Sequence, residues 1–458
     1  MLVRVKLLVK MFLEKLSKLR KMNKVIKWTS LALLFLTLLL FAAIIAFKLG
    51  QITKPAQRLD VARSLEVSAA VENFATAQAK AIALIEAQPQ FGSDEKSRAE
   101  GYQSFLFNMV KAIEVSALHN PDVPRFSRIA GPGAKSGMDN PDNEYRTAVI
   151  RDDAVYKISG LVSSDRLLYF QSMVGEPGVG SAGTGTIIHT LAPRDLSFSD
   201  DGKFEIIVSK DAPKNGQNWL KLVPGAETIL VRFTDTSWPE FYPQDVLRIE
   251  RLCEACPEAS KPLTDADIAD MFNRAAASLH DRTATWIDIS RKIWATVPRN
   301  KISRYHETKN GLSGQYSAFG TFDIGPDEAL IVTVPYTDAD YQGIQLASRW
   351  FLSLDYQTRV SSLTREQSKQ SEDGFLRYVI SHHDPGVWNW LDTASHTEGL
   401  IMIRWQGVAG KPNPAPQSSL IPFEKIKDYL PENTVMISSE DRDAQIRSRQ
   451  LSSDLRFQ

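Results

Sequence analysis

Between Ser381 and Glu398 the chain reads SHHDPGVWNWLDTASHTE, which gathers His382, His383 and His396, three of the seven histidines, beside Asp384 and Asp392. Imidazoles and carboxylates in one short segment can exchange protons near neutral pH or ligate a metal. His383 or His396 is the candidate acid/base, with Asp384 or Asp392 to orient it, for a hydrolase or group-transfer reaction. The alternative is that these histidines are exposed loop residues. A related segment earlier in the chain carries Ser209, Lys210 and Asp211 in the matching loop and no histidine.

Three further stretches have plain readings beside the chemical ones. Gly178 to Gly185 (GVGSAGTG) contains G-x-G-x-x-G, but the β-like run TIIHTL follows instead of the helix that a pyrophosphate site needs, which makes it a hairpin loop. Cys253 and Cys256 form C-E-A-C, the spacing of a local disulfide or a redox pair, and two cysteines alone do not close a structural zinc site. Asp139 to Arg146 (DNPDNEYR) reads as an Asx-rich turn, with cation or substrate-hydroxyl binding as the alternative. G-x-S-x-G, H-E-x-x-H and a recognisable Ser/His/Asp order are absent, and neither a metal nor a cofactor is expected.

The elements that position these residues repeat. FEIIVSKDAPKNGQNWL starts at Phe204 and FLRYVISHHDPGVWNWL at Phe375, and in each the Asn-Trp-Leu triplet begins fourteen residues after the Phe, at Asn218 and Asn389. Each copy runs on into an apolar strand ending in Arg232-Phe233 or Arg404-Trp405, and Tyr145 and Tyr316 share the same 171-residue offset. A β module is therefore duplicated. Asn218, Trp219, Trp388, Asn389 and Trp390 have a structural reading, in which Trp covers one end of a sandwich while Asn satisfies loop backbone groups. Their alternative role is ligand binding.

The expected organisation is a helical segment over 62–125, a first β-sandwich module over 126–258, a helical connector over 264–300, a second module over 312–440 and a C-terminal helical tail over 441–458. Thr264 with Asp267 has the form of a capping box that opens the connector. Ahead of these, 28–47 (WTSLALLFLTLLLFAAIIAF) is a twenty-residue uncharged run of transmembrane length, followed by a linker over 48–61. The basic segment 1–27 before it is expected to stay cytoplasmic. The chain has 458 residues with 54 basic and 54 acidic side chains, 43% hydrophobic, which is ordinary globular composition and gives no sign of a nucleic-acid partner. The neutrality divides: the first thirty residues carry nine Lys/Arg against one acid, so the remainder carries 45 against 53.

AEGYQSFL from Ala99, DNPDNEYR, NWLKLVPGAETILVRF, IGPDEALIVTV from Ile324, DPGVWNWLDT and ISSEDRDAQIRSRQ resemble the bacterial domain-of-unknown-function family 1214, from about Ala62 to Phe457. Trp388 stands where that family commonly has proline, and Ser395 where it commonly has glycine. The resemblance implies two jelly-roll-like β-sandwiches with added helices and brings no agreed reaction. The expected fold class is mainly β with α, behind a single N-terminal transmembrane helix. The expected role is an inner-membrane protein with its bulk periplasmic or extracytoplasmic, binding a small or lipid-like ligand or a partner in a groove between the modules, near Trp388, Trp390 and the loop around Gly178. The rival expectation is the His/Asp enzyme.

Overall fold

Strands dominate the computed structural model, which describes residues 64–457 apart from 118, 162–165, 177, 180–184, 215, 241–244, 254–261, 308–311, 313 and 409. The first nine are β1 (Ser127–Ala130), β2 (Asn143–Val149), β3 (Val155–Leu161), β4 (Leu167–Val174), β5 (Thr186–Leu191), β6 (Lys203–Ser209), β7 (Asn218–Lys221), β8 (Ala226–Thr234) and β9 (Val246–Leu252). They form one sheet of order β1-β2-β8-β4-β5 and another of order β7-β6-β3-β9. Alternation decides which face goes inward: along β3, Tyr156, Ile158 and Gly160 are buried while their neighbours are not. Phe170 and Ile229 from the five-stranded sheet meet Tyr156 and Ile206 from the four-stranded one in a single core, so the two sheets are packed face to face.

The second nine are β10 (His306–Glu307), β11 (Tyr316–Asp323), β12 (Glu328–Pro335), β13 (Tyr341–Ala347), β14 (Ser362–Thr364), β15 (Phe375–Ser381), β16 (Trp390–Asp392), β17 (Glu398–Gln406) and β18 (Gln417–Pro422). Their orders, β10-β11-β17-β13-β14 and β16-β15-β12-β18, repeat the first module strand for strand. Their shared core includes Phe322, Ile344 and Trp405 against Leu330 and Tyr378. Every residue of β13 is buried, because its outer face is covered as well. There Tyr341 Oη donates to Asp142 Oδ2 at 2.7 Å and Gln345 Nε2 to the Asp139 carbonyl at 3.0 Å, which joins the modules.

Helices fill the remaining sides. α1 (Leu65–Glu86) starts under the Ser64 hydroxyl, which accepts from Val67 N, and a short turn at Pro89–Gly92 separates it from α2 (Glu95–Ala117). The capping box at Thr264 and Asp267 forms with both reciprocal bonds and opens α3 (Asp265–Thr296), a single helix of 32 residues. Ala81 and Ala112, with Ile85, pack on Leu279 of α3, and Trp350 of the second module closes this cluster. The last helix, α4 (Ser439–Phe457), carries Arg442, Arg449 and Arg456, all buried, on one stripe at seven-residue spacing. Arg449 donates to Ser362 Oγ in the second module, and Arg456 reaches the Pro141 carbonyl and Asp235 in the first.

The expected fold class is corrected here. Among the described residues no helix is long and apolar enough to cross a membrane. The long helices intersperse charges with a narrow apolar stripe and cover sheets, so the described protein is mainly β sheet with few helices. The transmembrane run expected over 28–47, with the basic segment and linker around it, lies outside the described residues.

Candidate functional site

The histidines and aspartates of the 381–398 segment are directed to different neighbours. His383 is exposed, its ring meets the Phe423 ring edge-on, and its carbonyl accepts from Ser381 Oγ at 2.7 Å. Asp384 Oδ2 sits 2.9 Å from Arg442 Nε, so it holds α4 against the second module. His382 lies between the Ile324 carbonyl and the Thr393 hydroxyl. Asp392, at the end of β16, pairs with Arg359 at 2.8 Å. His396 faces α2, with Nε2 2.7 Å from Glu100 Oε1. Asp392 and His396 therefore share a neighbourhood, and His383 and Asp384 lie elsewhere.

The Asn-Trp-Leu residues make the same contacts in both modules. Asn218 accepts from Ser197 N and donates to Ser197 O; Asn389 does the same with Lys369 N and O. Trp219 Nε1 donates to Ser209 O and Trp390 Nε1 to Ser381 O. Trp388 Nε1 donates to Gln367 O while Lys369 lies over its ring. These side chains are all hydrogen-bonded to main-chain groups of the protein itself. An opening lined by Trp388 and Asn389 has a volume of about 20 Å³. Cys253 is disulfide-bonded, and Cys256 lies outside the described residues. Gly178 and Gly185 flank the link from β4 to its antiparallel neighbour β5, so no helix follows the glycines.

A larger cavity, about 260 Å³, lies where the two modules and α3 meet. Trp286 of α3 stacks on Phe351 of the second module at 5.8 Å, and Met173, Leu230 and Met402 complete an apolar wall. Arg282 of α3, paired with Glu176, and the Asp139 carboxylate also line the cavity, and two further arginines enter from the modules, Arg232 from β8 and Arg404 from β17. They stand in equivalent strands. Each donates to the glutamine of the neighbouring central strand, Arg232 to Gln171 Oε1 and Arg404 to Gln345 Oε1. Arg404 Nη2 also holds the Met138 carbonyl at 2.8 Å. Among the described residues neither arginine forms an ion pair with a carboxylate.

Burial pushes the Arg232 guanidinium below its ordinary value, and the Arg404 charge beside it pushes the same way, against Tyr145 and Tyr169. Guanidinium groups nevertheless stay charged in proteins. Asp139 lines the same cavity, and burial pushes its carboxyl above the ordinary range despite Lys135, Ser353, Tyr356 and Arg404. An apolar cavity with two guanidinium forks on one wall suits a ligand with an apolar body and a carboxylate or similar head.

The wall is tightly made. Met138 and Phe351 both adopt positive φ, 54° and 59°, and Met138 N donates to Phe351 O at 2.7 Å across the modules. Such conformations in non-glycine residues are held only by their surroundings. Gly137, at φ +63°, lies under Trp286 so closely that a Cβ there would stand 2.6 Å from Trp286 Cζ2. Gly137→Ala is expected to lower stability by about 1–3 kcal/mol through overpacking. A urea midpoint unchanged from wild type would show that the ring moves aside freely.

DNPDNEYR forms the turn expected of it, with Asn140 Oδ1 accepting from Asp142 N. Its carboxylates, however, are buried between modules: Asp139 accepts from Ser353 Oγ and Tyr356 Oη, and Asp142 from Trp238 Nε1 and Tyr341 Oη. Neither Arg232 nor Arg404 stands out as a site residue in the sequence. The signal that marks them is their shared place at the end of the repeated strand.

Residues 183–237 match the model of a family described as protein of unknown function (DUF1214). The fold is similar to that of an uncharacterized protein from Burkholderia cenocepacia, at 24% identity and a TM-score of 0.73, over 80% of this chain and 100% of that one. A protein from Vibrio parahaemolyticus aligns over 76% of this chain and 100% of its own, at 9% identity and a TM-score of 0.42. No curated protein matches the sequence.

Proposed function

We propose that this protein binds a small or lipid-like ligand with an anionic head in the cavity between its two β modules. The observation that carries the reading is the pair of repeat-equivalent arginines, Arg232 and Arg404, which face an apolar cavity without a carboxylate partner among the described residues. Desolvated positive charge is costly unless an anion compensates it, and a bound carboxylate supplies the missing acceptor. The apolar wall accounts for the rest of the ligand: burying each methylene contributes roughly 0.8 kcal/mol. Pockets of this kind, apolar with a few fixed polar groups, are the usual form of a small-molecule site.

Octanoate is a suitable probe, since it combines one carboxylate with a short chain. Because Trp286 forms part of the wall, its fluorescence is expected to change saturably on titration with octanoate, with one equivalent bound. Absence of saturable binding for octanoate and for an aromatic acid such as 3-phenylpropionate would overturn the reading.

A further inference from the structure

Lys96, on the first turn of α2, points away from the arginine cavity into a second, polar region. Two openings of about 400 and about 370 Å³ adjoin there, and Lys96, Glu100 and His396 line both. None of these residues lines the arginine cavity. Lys96 Nζ lies 2.9 Å from His396 Nδ1 and donates to the Ala394 carbonyl. On the other side of the ring, His396 Nε2 is 2.7 Å from Glu100 Oε1. Among the described residues Lys96 has no ion-pair partner.

That arrangement differs from an ordinary structural lysine. Burial pushes the Lys96 ammonium below its ordinary value; Glu100 opposes this, Arg359 reinforces it, and Asp94 and Asp392 oppose it more weakly. Nζ stands 2.9 Å from Nδ1, which also lies 2.9 Å from the Thr393 carbonyl, so the ring is placed to take a proton from the amine there. Glu100 Oε1 faces Nε2, where it would stabilise the charge that the ring gains. The larger opening also holds Arg359 and Lys135, so an anionic group has cations to meet.

We propose that Lys96 is a nucleophile that forms an imine with a small carbonyl compound bearing a carboxylate, of the 2-oxo acid class, in the larger opening. The Nζ lone pair attacks the carbonyl carbon, a C–N bond forms as the C=O π bond breaks, and one amine proton passes through His396 to the carbonyl oxygen to give a carbinolamine. The C–O bond then breaks, the hydroxyl leaves as water with a proton from the His396 imidazolium, and the remaining amine proton returns to His396. Carbon and nitrogen keep their oxidation states, and no further reactant is needed. The proposal is independent of the anion site at Arg232 and Arg404, so either can fail alone.

The test is to incubate the protein with pyruvate and sodium cyanoborohydride near neutral pH, then map the reduced adduct by peptide mass spectrometry. The expected result is a single early adduct at Lys96, formed at least about tenfold faster than at any exposed lysine and slowed about 10²-fold in His396→Gln, a loss typical of removing a proton-transfer partner. Lys96→Arg keeps the charge and abolishes that adduct. Near-uniform labelling across exposed lysines, or an unmodified Lys96 in the wild-type protein, would overturn the proposal without reference to any variant. Equal Lys96 labelling rates in wild type and in a His396→Gln variant with an unchanged unfolding transition would remove His396 from the step and overturn it as stated.

Discussion

Replacing Arg166 by methionine is expected to lower the unfolding free energy by about 3–5 kcal/mol, the usual cost of stripping a buried charge of its partner. Arg166 is the common counter-ion of three carboxylates: Glu144 Oε2 at 3.2 Å, Asp235 Oδ1 at 3.1 Å and Asp245 Oδ2 at 3.1 Å. Its side chain is 6% exposed and theirs are 1%, 1% and 3% exposed, so water does not replace it. Urea unfolding at neutral pH measures the loss. Arg248, 72% exposed and paired with Glu250, is the control, and Arg248→Met is expected to cost no more than about 1 kcal/mol.

The pH dependence follows from the same group. Burial pushes the Glu144 carboxyl up, but Arg146, Arg166 and Arg128 outweigh it and hold it below the ordinary range. A depressed carboxyl contributes stability that is present above the unfolded value of about 4.3 and is lost as pH falls through the lower folded value. Asp235 acts in the opposite sense, because burial holds its carboxyl above the ordinary range despite Arg166 and Arg456. Acidification protonates the carboxylates from which Arg166→Met removes a shared counter-ion, Glu144 keeping Arg146 and Arg128 and Asp235 keeping Arg456. The stability gap between wild type and variant is thus expected to narrow as pH falls below about 4.3. A gap that is constant from neutral to acid pH would mean that lost packing, not lost charge, explains the variant.

Arg232→Gln and Arg404→Gln are each expected to weaken octanoate binding by about ten- to a hundredfold, since a hydrogen bond to a charged group contributes roughly 1.5–3 kcal/mol and 1.4 kcal/mol is tenfold in affinity. The accompanying change in stability distinguishes a binding role from a structural one. Arg232 is destabilised by burial and by Arg404 beside it, so removing one charge of the pair relieves repulsion. Both variants are expected to unfold within about 1 kcal/mol of wild type, in the range of small hydrogen-bond losses. A large stability loss with no change in affinity would assign the arginines to the fold alone.

Much of the β framework is readable from the sequence, because it rests on local regularities. Phe204 and Phe375 open equivalent strands, and Asn218 and Asn389 bond loop backbone in the same way in two sheets of the same order. The capping box at Thr264 and Asp267 depends on residues three apart and forms. What is not readable depends on tertiary direction. His383 and His396 are thirteen residues apart, yet one meets solvent and the other α2. Asp384 looks like a member of that cluster until Arg442, far along the chain, is seen to hold it. DNPDNEYR reads as an Asx-rich turn, and only the packing of β13 against it shows that Asp139 and Asp142 are interior. Arg232 and Arg404 look like ordinary strand ends. Their shared place at one cavity arises because the two modules pack with equivalent strands toward it, a relation that no single segment encodes.

Calorimetric titration with octanoate and with octanol tests the central claim most directly, because the two probes share a chain and differ in the head group. The arginine pair predicts one saturable site for octanoate, at least about tenfold weaker binding of the alcohol, in keeping with the cost of one lost charged hydrogen bond, and loss of that preference in Arg232→Gln and Arg404→Gln. Equal affinity for acid and alcohol, or a preference that survives both substitutions, would contradict it.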